Sequence, residues 1–167
     1  MLSGETSTGQ HPTLVVETMR KIIAEGEKKE YRYNRSEDLK PQPHAPSFHS
    51  DAICYNACKI SNDVEARALI GMTQSGYTAF MLSSYRPYSP LYIFTKEKTL
   101  VNQLSLSWGV RAFYYAEASS LDELINDKIN ILKERGFINA ADVVVTTGSP
   151  PVDQHLPPHI IHLTKFH

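Results

Sequence analysis

Thr73-Gln74-Ser75-Gly76-Tyr77-Thr78 is the stretch of this chain best suited to chemistry. It lies between an apolar run ending at Met72 and a helical pattern through Phe80 to Tyr85, so it joins the carboxyl end of a strand to the amino end of a helix. Backbone N–H groups are unpaired at such a helix end, and the helix dipole favours an anion there. Gly76 lets a ligand approach the backbone, and the hydroxyls of Thr73, Ser75 and Thr78 add donors. The chemistry these residues suit is phosphate binding. A short Ser/Thr/Gly turn is also a common plain helix cap, and from the residues alone both readings stay open.

The remaining reactive side chains form no constellation. His159 and His162 fall three apart on a predicted strand and point to opposite faces, so with His155 they read as surface histidines rather than a metal site. Cys54 and Cys58 share a helix face at a spacing of four, where the Cα atoms stand roughly 6 Å apart with nearly parallel Cβ vectors. That geometry is awkward for a disulfide, and buried free thiols are expected. Trp108 and the tyrosines Tyr85, Tyr88, Tyr92, Tyr114 and Tyr115 read as core or interface residues. Tyr85-Arg86-Pro87 reads as structural, with Arg86 hydrogen-bonding nearby carbonyls. No catalytic cluster and no metal site is predicted.

The elements that must position the turn follow from periodicity. Pro12 suits a first helical turn, and Leu14, Val15, Thr18, Met19, Ile22 and Ile23 then share a face through about Lys29. This apolar face has no sheet of its own, so the chain reads as a piece of a larger protein, with Met1 either a native start or an internal methionine. The Met1 to Thr6 opening reads as a loop. Residues 31–49 carry Pro41, Pro43 and Pro46 without hydrophobic period and read as a linker. Ser50 marks the start of a helix from Asp51 to about Ile60; strands are expected at Ala66 to Met72, Leu91 to Thr95, Val110 to Tyr115, Val143 to Thr147 and Ile160 to Phe166. Between them come a helix carrying Leu100, Val101 and Leu104, and one capped by Ser120 and Glu123 and stopped by Gly136.

This alternation predicts an α/β three-layer sandwich with a mostly parallel five-stranded sheet, its last strand antiparallel and at an edge because no helix precedes it. A chain of 167 residues buries about two-thirds or more of its unfolded surface. Lys and Arg total 17 against 18 Asp and Glu, a net charge of −1 that argues against a nucleic-acid surface. No run approaches the roughly 18 apolar residues of a membrane span, and the reduced cysteines point to the cytoplasm.

Three motifs carry a family resemblance. MLSGETSTGQHP resembles the segment that closes the catalytic barrel of pyruvate kinases, and GMTQSGYTAFMLSSYRPYSPLYIFT resembles the T-x-S-G…YRP-x-x-P segment of their C-terminal domain. Gly136-Phe137 followed by Ala141-Asp142-Val143-Val144-Val145-Thr146-Thr147-Gly148 is similar to a third family segment, in the family's order and at about its spacing. Residues 1–30 would then be the last loop and helix of a truncated barrel, 31–49 a linker, and 50–167 the C-terminal α/β domain.

The resemblance implies a parent that transfers a phosphoryl group from phosphoenolpyruvate to ADP with Mg²⁺ or Mn²⁺ and K⁺. This chain would need no cofactor and would be inactive alone, because the barrel strands holding cations and substrate are absent. Ser3, Gly4, Glu5 and Thr6 match an active-site-edge loop, expected here as a frayed remnant. Thr73, Gln74, Ser75, Gly76, Tyr77 and Thr78 match the loop that grips the phosphate of a sugar-phosphate or nucleotide effector. Gln74 and Tyr77 stand where bisphosphate-binding members often carry Lys and Arg, and Ser149 to Pro158 replaces a glycine-rich effector loop. A monophosphate ligand and a vestigial site both stay open. The implied partner is a second copy of the chain, with no nucleic acid and no membrane; a stand-alone phosphate-binding or dimerisation module is the alternative.

Overall fold

A computed structural model describes residues 2–28, 39–115, 121–148 and 160–165, except the side chains of residues 121, 122 and 124. Met1, the first part of the expected linker (31–38), Ser120 of the expected capping box, Phe166, His155, His159 and the segment Ser149 to Pro158 lie outside the described residues. The chain divides into two compact units, Met1–Arg32 and Tyr33–His167.

The first unit holds α1 (Gly4–Ser7) and α2 (Pro12–Glu27). The opening loop expected from the sequence is instead one helical turn. Thr6 and Ser7 N–H both donate to the Ser3 carbonyl at 3.1 Å, and the Glu5 carboxylate accepts from Ser3 N–H at 3.1 Å. Short hydroxyl and carboxylate side chains compete well for local backbone groups, and here that competition closes a turn. Bonds from its own N–H and from that of Ser3 hold the Glu5 carboxyl below its usual range. Pro12 opens α2 as expected, yet no residue of α2 is buried, and Leu14, Ile22 and Ile23 are exposed while Val15 and Met19 are half-buried.

The second unit runs α3 (Phe48–Asp63), β1 (Ala68–Met72), α4 (Tyr77–Tyr85), β2 (Leu91–Thr95), α5 (Lys98–Leu104), β3 (Val110–Tyr114), α6 (Leu121–Glu134), β4 (Val143–Gly148) and β5 (Ile160–Lys165). The sheet order is β3-β2-β1-β4-β5, parallel except for β5, which pairs antiparallel to β4 with Val145 opposite Leu163. The mixed α/β architecture read from the sequence is the one observed.

Right-handed crossovers account for the layers. Steps from β1 to β2 to β3 run one way and place α4 and α5 on one face. The return from β3 to β4 places α6 on the other. Leu69, Leu91, Ile93 and Val145 accordingly pack with Cys54, Ala57, Cys58, Ala79, Leu82, Tyr85 and Leu104. On the opposite face Ala68, Ile70, Tyr92, Phe94 and Val144 pack with Ile125, Ile129 and Leu132. Strands buried on both sides read as continuous apolar runs, which is why β2 is legible to the residue.

Two starts shift. α3 starts at Phe48 rather than near Ser50, because Ser47 donates to the Asp51 carboxylate at 2.7 Å and caps no backbone group. β1 starts at Ala68, since Ala66 N–H is drawn to the Ser61 carbonyl at 2.8 Å and closes the end of α3. α4 starts at Tyr77, immediately after Gly76, where the expected turn ends. Arg86, expected on carbonyls, instead stands 5.3 Å over the Trp108 ring.

Cys54 and Cys58 are free and buried. Burial, then the Asp51 charge, pushes the Cys54 thiol up to about 12, and burial pushes Cys58 well above its usual range. Neither forms a thiolate near neutrality, so both are inert core residues. Lys128 was not anticipated in the core. It is 1% exposed, with its ammonium 4.3 Å from the Tyr115 ring centroid and 5.7 Å from that of Phe94.

Burial lowers the Lys128 amine from 10.5 to about 7, partly offset by Asp127. Between those values the unfolded chain binds more protons, so the stability passing through Lys128 rises with pH from about 7 to 10.5 and is lowest below pH 7. Urea unfolding at pH 6, 8 and 10 should show this rise. Lys128→Met should flatten it and stabilise the fold at pH 6 by on the order of 1–3 kcal/mol. Equal slopes in both proteins would contradict the assignment. A chain beginning at Lys40 should melt cooperatively within about 5 °C of the full chain, because the second unit contains its own core. Loss of a cooperative transition would place part of that core in the first unit.

Candidate functional site

The turn after β1 sits at the topological switch point of the sheet. The strand that follows β1 lies to one side of it and the strand that follows β4 to the other, and the carboxyl ends of two such neighbours open a crevice. The local sequence forces the turn into shape. Thr73 N–H still pairs with the Phe94 carbonyl at 3.1 Å, so the chain remains tied to the sheet until that residue. Gly76 then adopts φ +90°, a left-handed conformation costly for any side chain, and α4 begins with Phe80 N–H donating to the Gly76 carbonyl at 3.0 Å. At Gly71 an added Cβ would lie 2.8 Å from Ile93 Cδ1 and 3.0 Å from Leu82 Cδ1. That glycine lets α4 seat directly on β1.

The six residues expected to bind an anion do share this turn, but their groups are partly spent on one another. Thr73 Oγ1 accepts from Gly76 N–H at 2.9 Å, and Ser75 Oγ accepts from Tyr77 N–H at 3.4 Å. Both hydroxyls keep a hydrogen to donate. Thr78 is buried against the Gly71 position, Gln74 is half-buried and Ser75 is exposed. Tyr77 is 40% exposed, yet its phenol donates to Asp51 Oδ1 at 2.5 Å. Burial, then that bond, raises the Tyr77 phenol above its ordinary range.

Two contributors were missed by sequence reasoning. Asp51, on the first turn of α3, places a buried carboxylate beside the turn and opposes an anion there. Its pairing with Tyr77 spans 26 residues and leaves no local signal. Thr147 stands opposite Gly71 in the register, on the face that α4 covers, and its buried Oγ1 has no partner among the described residues; neither has Thr146 Oγ1. The signal available was the Thr-Thr pair ending an apolar strand at the switch point.

The other candidates belong to other elements. Ser3, Gly4, Glu5 and Thr6 belong to the first unit, where Glu5 is engaged by Ser3. His162 is exposed on β5 with Nδ1 3.1 Å from Thr164 Oγ1. Among the described residues no three His, Cys, Asp or Glu side chains gather as metal ligands, and no helix is long and apolar enough to cross a membrane.

Comparison with known proteins agrees with this architecture. The family profile described as pyruvate kinase, alpha/beta domain, matches residues 51–156. A pyruvate kinase of Clostridium acetobutylicum is 34% identical over 153 residues, covering 92% of this chain and 32% of that protein. One from Corynebacterium glutamicum is 35% identical over 153 residues, covering 90% of this chain and 30% of its own length. The crystal structure of a pyruvate kinase from Cryptosporidium parvum superposes with a TM-score of 0.83 at 24% identity, over all of this chain and 33% of that one, a likeness of fold. The chain thus spans about a third of the length of the curated relatives it matches. It belongs to the pyruvate kinase family, as the part of those enzymes that contains their C-terminal alpha/beta domain.

Proposed function

We propose that this chain is the regulatory and assembly domain of a pyruvate kinase, whose whole protein transfers a phosphoryl group from phosphoenolpyruvate to ADP with Mg²⁺ or Mn²⁺ and K⁺. Those cations would supply charge neutralisation at the transferring group, and no residue set described here fits them. The chain's own role is to bind and to assemble. The observation that supports the binding role is the switch-point turn, where Gly76 opens the α4 end, with Thr147 in register with Gly71 on the neighbouring strand and its hydroxyl without a partner among the described residues. An anionic oxygen there would accept from the α4 amino end and from the Thr73 and Ser75 hydroxyls. With no cationic side chain in the turn and Asp51 beside it, the fitting ligand is the single phosphate of a sugar phosphate or nucleotide, held weakly.

The assembly role rests on β5. It is an edge strand with Leu163 46% exposed, and an exposed edge is a template for pairing with a second copy. The exposed apolar face of α2 fits packing against a barrel in the whole protein. A second reading is favoured by the turn's own bonds: with Thr73 and Ser75 already capping Gly76 and Tyr77, the turn is a finished helix cap and the chain only an assembly module.

Titration separates the two. A sugar monophosphate should raise the melting temperature by linkage, with a dissociation constant on the order of 0.1–1 mM. Gln74→Lys should tighten binding by about tenfold, and Ser75→Asp, which puts a carboxylate in the turn, should abolish it. No signal across sugar phosphates and nucleotides, unchanged by Gln74→Lys, leaves the assembly module. In a coupled assay with phosphoenolpyruvate, ADP, Mg²⁺ and K⁺, this chain should form no pyruvate above the blank. Turnover that follows the purified chain would overturn the division of roles.

A further inference from the structure

Basic side chains at the opposite end of the sheet have no role in the reading above. Arg111, the second residue of β3, holds its guanidinium 4.9 Å from the Phe137 ring centroid. Arg135, just after α6, holds its own 4.8 Å from that of Phe113. The two rings are 6.3 Å apart, and Tyr92 lies 5.3 Å from Phe137 and 6.2 Å from Phe113. Arg67, just before β1, completes the group: its charge and that of Arg111 both pull the Tyr92 phenol down against the larger effect of burial. All three arginines are exposed.

Among the described residues none of the three has a carboxylate within ion-pair distance; the ion pairs there are Lys21–Glu17 and Lys28–Glu25. The acids nearest in sequence, Glu65, Glu134 and Asp142, do not reach them, and Asp142 accepts instead from Asn139 N–H at 2.6 Å. Arg111 and Arg135, held over rings 6.3 Å apart, repel one another, which a structural role alone does not require. A guanidinium held over a ring keeps its N–H fork for an in-plane oxyanion.

Arg67 also lines an open groove of about 410 Å³ with Ser61, Asn62, Glu65, Tyr88 and Ser89. The groove wall is fixed by Ser61 Oγ donating to Ser89 Oγ and Ser89 Oγ to the Ala66 carbonyl, each at 2.6 Å. Asn62 Oδ1 accepts from Tyr88 N–H at 3.0 Å, which sets the amide's orientation and leaves Nδ2 as a buried donor without a partner among the described residues. A buried donor left unmet is unfavourable, so this wall favours an acceptor-bearing guest.

We propose that the amino edge of the sheet carries an anion site in which Arg67, Arg111 and Arg135 hold the phosphate group of a small phosphorylated molecule, its uncharged part resting in the groove beside Arg67. A carboxylate offers one charge and one fork. A phosphate group brings about two charges and three acceptor oxygens, the better match to three guanidiniums. The site is independent of the turn after β1, which lies at the carboxyl end of the strands.

The test uses the full chain in the Ser75→Asp background, which silences the turn. Inorganic pyrophosphate, titrated by calorimetry at low salt, should bind with a dissociation constant of about 1 mM and move the Nε–H resonances of Arg111 and Arg135. Arg111→Gln and Arg135→Gln should each weaken it about tenfold, and Arg111→Lys less, because the charge stays while the fork is lost. Near-UV circular dichroism confirms that each variant is folded. ATP should bind more tightly than pyrophosphate if the groove takes the organic part. No saturation by about 10 mM, affinity unchanged from the parent in both Gln variants, or ATP no tighter than pyrophosphate would overturn the proposal as stated. Failure of the turn to bind sugar phosphates would leave these outcomes untouched.

Discussion

The double burial of β1 is the constraint on which the α/β unit depends. Ala68, Leu69 and Ile70 are each 0% exposed, paired to β2 on one side and β4 on the other. Such a strand has no solvent face, so helices must cover both sides, and right-handed crossovers then fix which helix covers which. Gly71 sets the depth at which α4 seats, because any side chain there would collide with Ile93 and Leu82. A helix seated so closely to its own strand must be entered by a short turn, and Gly76 at φ +90° supplies it. The anion-suited geometry of Thr73 to Thr78 is thus a consequence of packing before it is a feature of binding.

That origin explains the tension at the turn. A helix end leaves several N–H groups unpaired whether or not a ligand exists, and folding satisfies them with what lies nearby. Thr73 and Ser75 do so here, and a ligand has to compete with bonds already made. Replacing one hydrogen bond by another gains little unless the new acceptor is charged, since charge-assisted bonds are roughly twice as strong. The buried Asp51 carboxylate subtracts from that gain. Thr147 adds to it, because its buried hydroxyl, without a partner among the described residues, is a cost that an acceptor would relieve.

Elements were legible in the sequence where burial imposes a pattern, and boundaries were not where side chains choose partners. β2 lies where its apolar run lies. The α3 start was misplaced because a serine before a helix usually caps a backbone N–H, whereas Ser47 spends its hydroxyl on Asp51. At the site, the turn itself is local and was readable. The Asp51–Tyr77 bond and the Thr147–Gly71 register join residues far apart in sequence, and no window of periodicity contains them. Lys128 was readable and overlooked: it falls three after Ile125 and four before Leu132, on the stripe that α6 turns inward.

A net charge of −1 conceals how unevenly the charges are placed. The turn at the carboxyl end of the sheet holds no cationic side chain and has a buried carboxylate beside it. The amino edge carries Arg111 and Arg135 over aromatic rings and Arg67 beside a groove it shares with Glu65, and among the described residues none of the three is in an ion pair. The same aromatic layer reaches the buried Lys128 through Phe94, whose ring stacks 5.2 Å from Phe113. One layer therefore accommodates a buried amine at one end and surface guanidiniums at the other. Charge of either kind on an aromatic face is attracted to the ring quadrupole, but only the guanidiniums keep N–H forks open to water. Between the two ends of this sheet, the physics of anion recognition favours the edge opposite the turn.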